Sequence, residues 1–438
     1  MLGGDIFGAA GAISTNAGAF VINGGNISSD GSGDTGSWSD GTSGQECAAI
    51  NLNGKYAATS LEVNGGYITA SGDTAIIISG TKNPVSINIT GGYYSSPLNA
   101  DWCAEGLKPT KTPENGYYTV IDKDASFEVN GVVYTSLAEA FDRCPSGSTI
   151  TITDNATVEK LIISNDREIT IDLNGNNLTV ADAVNGRSAY AIDNYGTMIL
   201  EDTTGEGTIS ARGIENFGTM IVKSGTIIAR DANGGAAIWN EGDLTIDGGE
   251  FRTLYEGSTK DSAGPGCINN SGKLTINAGT FISPNKRTYA VISSGEVVVA
   301  DNADITVTGV HGGICIDSGS ATILGGTYTS TEFYGLYVSN DAKGTDPEKA
   351  AVTVMGGEFT GKTYSVWVGS DVNSPVDSTV DIYGGKFNNP LKVQNNVLAD
   401  AGINVYGGTF VSEVPAAQLA SGYVCVDNGD GTFSVSAE

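Results

Sequence analysis

The sequence predicts an all-β fold wound as a solenoid, a right-handed parallel β-helix, and three observations predict it. Glycine supplies 62 of 438 residues, about twice the ~7% usual in globular chains, so the backbone turns often. Short apolar–polar alternations end again and again in two small residues, mostly Gly-Gly, with an aromatic residue or Ile one position on. A second phrase built on N-x-G returns with its first Ile at 192, 214, 238 and 268, in steps of 22, 24 and 30 residues. Repeats of this length made of alternating strands specify coils stacked on one another.

The first phrase begins as VINGGNI (21–27), VNGGYI (63–68) and INITGGYY (87–94). It resumes as LTIDGGEF (244–251), LTINAGTF (274–281), TILGGTY (322–328), VTVMGGEF (352–359), VDIYGGKF (380–387) and INVYGGTF (403–410). The second phrase reads AIDNYGTM (191–198), GIENFGTM (213–220), AIWNEGDL (237–244) and CINNSGKL (267–274). Weaker copies, AVISSGEV (290–297) and ICIDSGSA (314–321), extend it by steps of 23 and 24. Period-2 alternation makes each run a strand, with Ile, Leu, Val, Met or Phe inward and Thr, Asn, Asp or Glu outward. One coil cannot bury its apolar face alone; it does so against a copy about 4.8 Å away. The Gly-Gly corner suits a bend at φ > 0 with no side chain to clash. Asn194, Asn216, Asn240 and Asn270 of the N-x-G phrase are expected to form a structural ladder at one turn, each amide bonding to its neighbours.

A longer duplication marks the ends of two stacks. After Tyr94 the chain passes Gly106 and reaches GYYTV (116–120); after Phe410 it passes Gly422 and reaches GTFSV (431–435). Each segment reads as a C-terminal cap over an otherwise open edge. SLAEAFDRC (136–144) reads as a short amphipathic helix with Ser136 as N-cap and Glu139 three residues on. GSTITI and EITIDLNGNNLTV (168–180) then start new strands. Two tandem β-helical modules follow. Residues 1–123 form a partial β-helix with its own cap and no opening helix. Residues 124–438 form the main β-helix, with a capping helix at about 136–144 and a C-terminal cap at about 411–438.

The order is helix S-L-x-E-A, then G-S-T-I-T-I, I-D-L-N-G-x-x-L-T-V, repeated A-I-x-N-x-G-x-L-T-I-x-G-G-x-F, and a closing G-Y…D-G-T-F-S-V. It resembles the β-helical repeat modules of large surface proteins in gut-dwelling Gram-positive bacteria. The resemblance covers nearly all of residues 126–438 and much of 1–122. It implies an extracellular or cell-surface scaffold, adhesin-like or structural, that holds a glycan or a host or bacterial surface protein and does no chemistry. Similar β-helices form polysaccharide lyases and glycoside hydrolases, and also phage tail spikes and filaments. An enzyme and a virion part are therefore the two alternatives. Residues 1–20 show neither a basic start nor an unbroken apolar run, so no signal peptide is read there, and no anchor is read at the C-terminus.

Charge and composition narrow the partners. With 22 Lys+Arg against 50 Asp+Glu the formal charge is −28. Clustered bases that neutralise phosphates are missing, which excludes nucleic acid and an anionic membrane surface. No run nears the ~18 apolar residues of a membrane span, so no membrane insertion is expected. Self-association through an uncapped first coil stays open. Cys47, Cys103, Cys144, Cys267, Cys315 and Cys425 are widely spaced without a C-x-x-C pair, which argues against zinc; they read as buried thiols, with disulfides an alternative.

The chemistry-bearing candidates are few. His311 is the only histidine; its VHGG setting resembles the G-H-G segment of polygalacturonase-like glycosidases, but their N-T-D, D-D and R-I-K segments are missing, so it reads as a turn residue. No catalytic residue and no resident metal is expected. Calcium is the one candidate cofactor, at acidic residues in matching coil positions such as Asp193 and Glu215, with Arg212 and Arg230 on nearby coils as the bases a lyase would need. Sugar binding is expected at aromatic residues that pack on pyranose faces. The first group is Tyr195, Phe217 and Trp239. The second is Tyr334, Tyr337, Tyr364 and Trp367, near an insertion at 341–349.

Overall fold

The computed structural model describes every residue except 10, 32–47, 72–73, 113–114, 181–189, 231–234, 257–264, 340–348, 371–374 and 400. Cys47 and nearly all of the 341–349 insertion thus lie outside the described residues. Strands take 52% of the chain and helices 3%, the proportions of a solenoid of parallel strands. The chain divides into two compact units: Met1–Ala125 with Asn130–Thr135, and Ser126–Val129 with Ser136–Glu438.

In the larger unit the strands fall into three long sheets of twelve, thirteen and ten strands. The chain visits the three in rotation. Thr219–Val222, Thr226–Ala229 and Ile238–Asn240 make one coil; Asp243–Ile246, Glu250–Thr253 and Ile268–Asn270 make the next. Register sets like on like: Met220 on Leu244 on Leu274 in the first sheet, Phe251 on Phe281 in the second, Ile238 on Ile268 in the third. That match follows from alternation, because a one-residue slip would turn every apolar side chain outward. One weak copy departs from the sequence spacing. Val291 pairs with Ile314, not Cys315, and Cys315 pairs with Ile292 on the outer face. The turn after Ile316 holds one extra residue and closes on Gly319 at φ +75°, which absorbs the difference.

Aromatic rings take much of the second sheet's inward row, in two runs separated by Val307. Phe251 stacks on Phe281 at 5.0 Å, and Tyr328, Phe359, Phe387 and Phe410 follow at 4.7, 5.2 and 4.8 Å between centroids. These spacings are the coil pitch itself, about 4.8 Å, so the backbone places the rings in contact. Each such pair adds about 0.5–1.5 kcal/mol beyond its burial.

The Gly-Gly corner just before these rings has two separate requirements. At Gly356 a Cβ would stand 2.2 Å from the Leu324 carbonyl of the coil below. At Gly357 the backbone takes φ +97°. The first glycine lets coils approach, and the second lets the chain turn.

The ends follow the cap reading. Leu137–Arg143 is the α-helix, with Ser136 Oγ accepting the Glu139 N–H at 3.1 Å and Leu137, Ala140 and Phe141 buried. At the C-terminus the last ring, Phe410, pairs antiparallel with Phe433, and Phe433–Ala437 closes on Tyr423–Asp427. The smaller unit repeats this finish: Tyr94 pairs antiparallel with Tyr118, and Tyr118–Asp122 closes on Leu107–Lys111. Its sheets hold six, three and three strands around a core that includes Ile27, Leu52, Val63, Ile68 and Tyr94. Trp102 packs against that core. The corner chemistry also recurs, with Tyr94 Oη donating to the Gly91 carbonyl at 2.8 Å as Tyr328 Oη does to Gly325 at 3.1 Å.

Candidate functional site: a glycine-floored groove on the larger unit

The N-x-G phrase builds the site. Its Asn points inward and its Gly lies at the turn from the third sheet to the first. Asn194 Nδ2 donates to Asn216 Oδ1 at 2.7 Å, Asn216 to Asn240 at 2.6 Å, Asn240 to Asn270 at 2.6 Å, and Asn270 to Ser293 Oγ at 2.8 Å. All four Asn are buried. Each amide also donates across the turn to a carbonyl of the next coil: Thr219, Asp243, Lys273 or Glu296. The ladder therefore fixes the height of each turn and leaves no buried donor idle.

Outside the ladder the glycines make a floor. A Cβ on Gly218, Gly242, Gly272 or Gly295 would lie within 2.2 Å of the preceding coil's glycine carbonyl. One wall of the groove is the middle residue of each phrase: Tyr195, Phe217, Glu241, Ser271, Ser294. The other wall is the residue after each glycine: Thr197, Thr219, Asp243, Lys273, Glu296. Tyr195, 47% exposed, stacks on Phe217 at 4.8 Å with the planes 9° apart. On the next coil the wall residue is Glu241, so the stack stops and the far face of Phe217 is uncovered by any ring. A cavity of about 430 Å³ lies there, lined by Phe217, Thr219, Glu241, Asp243, Lys273 and the floor glycines.

The third sheet's outer row runs parallel to this groove. In register it reads Ile162, Asp193, Glu215, Trp239, Asn269, Ile292, Cys315, Tyr337, Trp367, Lys392. Trp239 thus belongs with the acidic pair, one row away from Tyr195 and Phe217.

The acidic pair holds an ammonium. Lys160 Nζ lies 2.5 Å from Asp193 Oδ2 and 3.9 Å from Glu215 Oε2. Burial pushes the Glu215 carboxyl up, and the hydrogen bond and charge of Asp193 push it further, against the pull of Lys160 and Arg212. Arg212 lies over the Tyr190 ring at 4.8 Å. Arg230 donates to the Val180 and Ser210 carbonyls, tying coils together. At Asp193 and Glu215, where calcium was the candidate, Lys160 stands between the carboxylates. Among the described residues no group of three or more His, Cys, Asp and Glu converges as a metal site.

In the second aromatic group Tyr334 and Tyr364 are half-buried and the rings pack on one another. Tyr337 and Trp367 are 4% and 5% exposed, with rings stacked at 4.7 Å. Tyr334 lies over Trp367 at 5.2 Å and beside Tyr364 at 6.3 Å, and Tyr289 joins Tyr337 at 5.0 Å. The faces that would meet a sugar meet each other. His311, in the turn between the second and third sheets, packs between Tyr289 and Phe333 and its Nδ1 faces the Lys286 carbonyl at 3.1 Å. The five described cysteines are free thiols, three of them buried.

Sequence reasoning missed two exposed stacks: Tyr383 on Tyr406 at 4.5 Å with Tyr423 edge-on at 5.4 Å, and Tyr67 on Tyr93 at 5.0 Å in the smaller unit. The signal was present, since Tyr383 and Tyr406 stand immediately before a Gly-Gly corner and Tyr67 and Tyr93 immediately after one.

Fold and groove together define the class, a parallel β-helical solenoid with a lateral groove. Comparison with protein-family models, curated proteins and solved structures finds no match.

Proposed function

We propose that the chain is a non-catalytic extracellular surface scaffold that holds a glycan in the glycine-floored groove. One sugar ring lies on the uncovered face of Phe217. The observation that carries this reading is the open hollow of about 430 Å³ where the aromatic ladder stops and leaves one ring face bare. A pyranose there extends the stack as a third layer, while Glu241 and Asp243 accept from its hydroxyls and Lys273 donates. The formal charge of −28 favours a neutral glycan. The surface setting rests on the resemblance of the repeat phrases to surface-protein modules.

Affinity electrophoresis through gels containing neutral polysaccharides tests the reading. Retardation by at least one polysaccharide is expected, and Phe217→Ala is expected to weaken it about tenfold, a loss of about 1.4 kcal/mol, with the β-rich circular dichroism spectrum retained. Equal retardation of wild type and variant, or none with any polysaccharide, overturns it.

A second reading, cleavage of polysaccharide, is favoured by one observation: the raised Glu215 carboxyl beside Asp193, with Arg212 near. Glycoside hydrolysis uses two carboxyl groups, the proton donor having a raised pKa. Reducing or unsaturated ends released from a polysaccharide panel, with and without calcium, and lost in Glu215→Gln, would replace the scaffold reading with this one.

A further inference from the structure

We infer that a second, smaller recognition site beside the groove takes the acetamido group of an N-acetylated sugar. This rests on the glycan reading above and names the sugar class. Between the third sheet's outer row and the groove wall lies a cavity of about 120 Å³, lined by Trp239, Asn269, Ser271, Ile292, Ser294 and Asp317.

Register explains why it is there. Trp239, Asn269 and Ile292 stand on three successive coils. The short middle side chain leaves a gap two coil spacings wide, about 10 Å between backbones. The groove wall steps down at the same level, from Phe217 and Glu241 to Ser271 and Ser294. Ser271 lines this cavity and the next residue, Gly272, lines the floor of the groove, so at this coil the wall between the two spaces is a serine. A sugar in the groove reaches over it with one substituent.

Size and polarity choose the substituent. A cavity of about 150 Å³ holds benzene, six heavy atoms. One of 120 Å³ is too small for a pyranose and large enough for the four heavy atoms of an acetamido group. Trp239 and Ile292 offer an apolar wall to its methyl. Asn269 accepts the Gly266 N–H at 2.9 Å through Oδ1, which orients its amide so that Nδ2 donates to the acetyl carbonyl. Asp317 Oδ1 accepts the Cys315 thiol at 3.2 Å, and a carboxylate has about four acceptor positions, so it also accepts the acetamido N–H. A plain hydroxyl leaves the apolar wall unfilled. A uronic carboxylate meets Asp317 and is repelled.

The test uses the intact chain and three oligosaccharides of equal length and linkage: N-acetylglucosamine, glucosamine and glucose oligomers. Titration calorimetry in about 1 M salt, where the screening length falls to about 3 Å, suppresses simple attraction of the cationic oligomer. The acetylated oligomer is expected to bind about tenfold tighter than the other two. Asn269→Asp keeps the Oδ1 acceptor and removes the donor; it is expected to cut that preference to about threefold or less while glucose-oligomer affinity holds. Ser294→Leu, placed on the exposed rim, fills the cavity from outside and should likewise cut that preference. Equal binding of all three oligomers by wild type overturns the acetamido assignment and leaves the groove standing. No binding of any of them overturns both.

Discussion

The larger unit solves one packing problem twice. From Ile192 to Asn270 the inward corner of the third sheet is an amide ladder; from Gly312 to Val393 the same corner is Ile316, Val338, Val368 and Val393, in register with it. The outer row changes in step. Beside the amides it carries Asp193, Glu215, Trp239 and Asn269; beside the aliphatics it carries Cys315, Tyr337 and Trp367, closed over by stacked rings. An amide ladder bonds coil to coil from within, so the outside of those coils needs no cladding and is open to a ligand. Aliphatic corners have no such directional bond, and there the outer aromatic residues complete the packing. The larger of the two cavities described above lies on the amide half, and the smaller lies at its edge, where Asp317 of the next coil lines it.

Substitutions can break this contrast. The largest effect is expected from Phe359→Ala in the aliphatic half, where the ring is fully buried between Tyr328 and Phe387. Loss of about 4 kcal/mol, transfer plus cavity, should appear in denaturant unfolding. A loss below about 1 kcal/mol would mean that the ring contributes less than even its ordinary burial.

Asn240→Val comes next, at about 3 kcal/mol, because it strands the Asn216 donor and the Asn270 acceptor in the interior. Converting Asn194, Asn216, Asn240 and Asn270 together to Val, the residue the later coils use, should cost less than twice the single change. A fourfold cost would show that the four amides act independently and are no ladder.

The smallest effect concerns Glu215, whose facing groups are Asp193, Lys160 and Arg212. Its folded carboxyl titrates above the ordinary value, so the stability linked to it is full below the unfolded pKa, about 4.3, and is lost as pH rises through the folded value. Glu215→Gln removes that loss. The melting difference, variant minus wild type, should be near zero at pH 4 and turn positive toward pH 7; a difference that falls with pH contradicts the assignment.

Much of this was legible in the chain. The Gly-Gly corners, the N-x-G amides, the Ser136 cap and the paired closing hairpins each occupy a few consecutive residues, and local sterics or a local hydrogen bond decides them. Tyr195 on Phe217 was legible for the same reason, since both hold the same place in adjacent phrases. What escaped depends on heights summed over several coils. Trp239 sits with the carboxylates because of its position within the strand. Cys315 faces outward because one extra residue enters the following turn. Tyr337 and Trp367 are hidden because neighbouring coils also place rings there. The groove floor escaped for a related reason: a glycine reads as a turn until its neighbours on successive coils turn out to share one line.

The antiparallel hairpins that finish both stacks also bear on how such a molecule changes length. Because like residues face like residues at every level, a whole coil could be inserted between Asn270 and Lys273 and find the same neighbours above and below. Each insertion would move the flanking coils apart by about 4.8 Å and leave the terminal hairpins untouched. The repeat is in that sense a ruler with fixed end-stops, and its reach can be reset by adding or deleting one coil at a time.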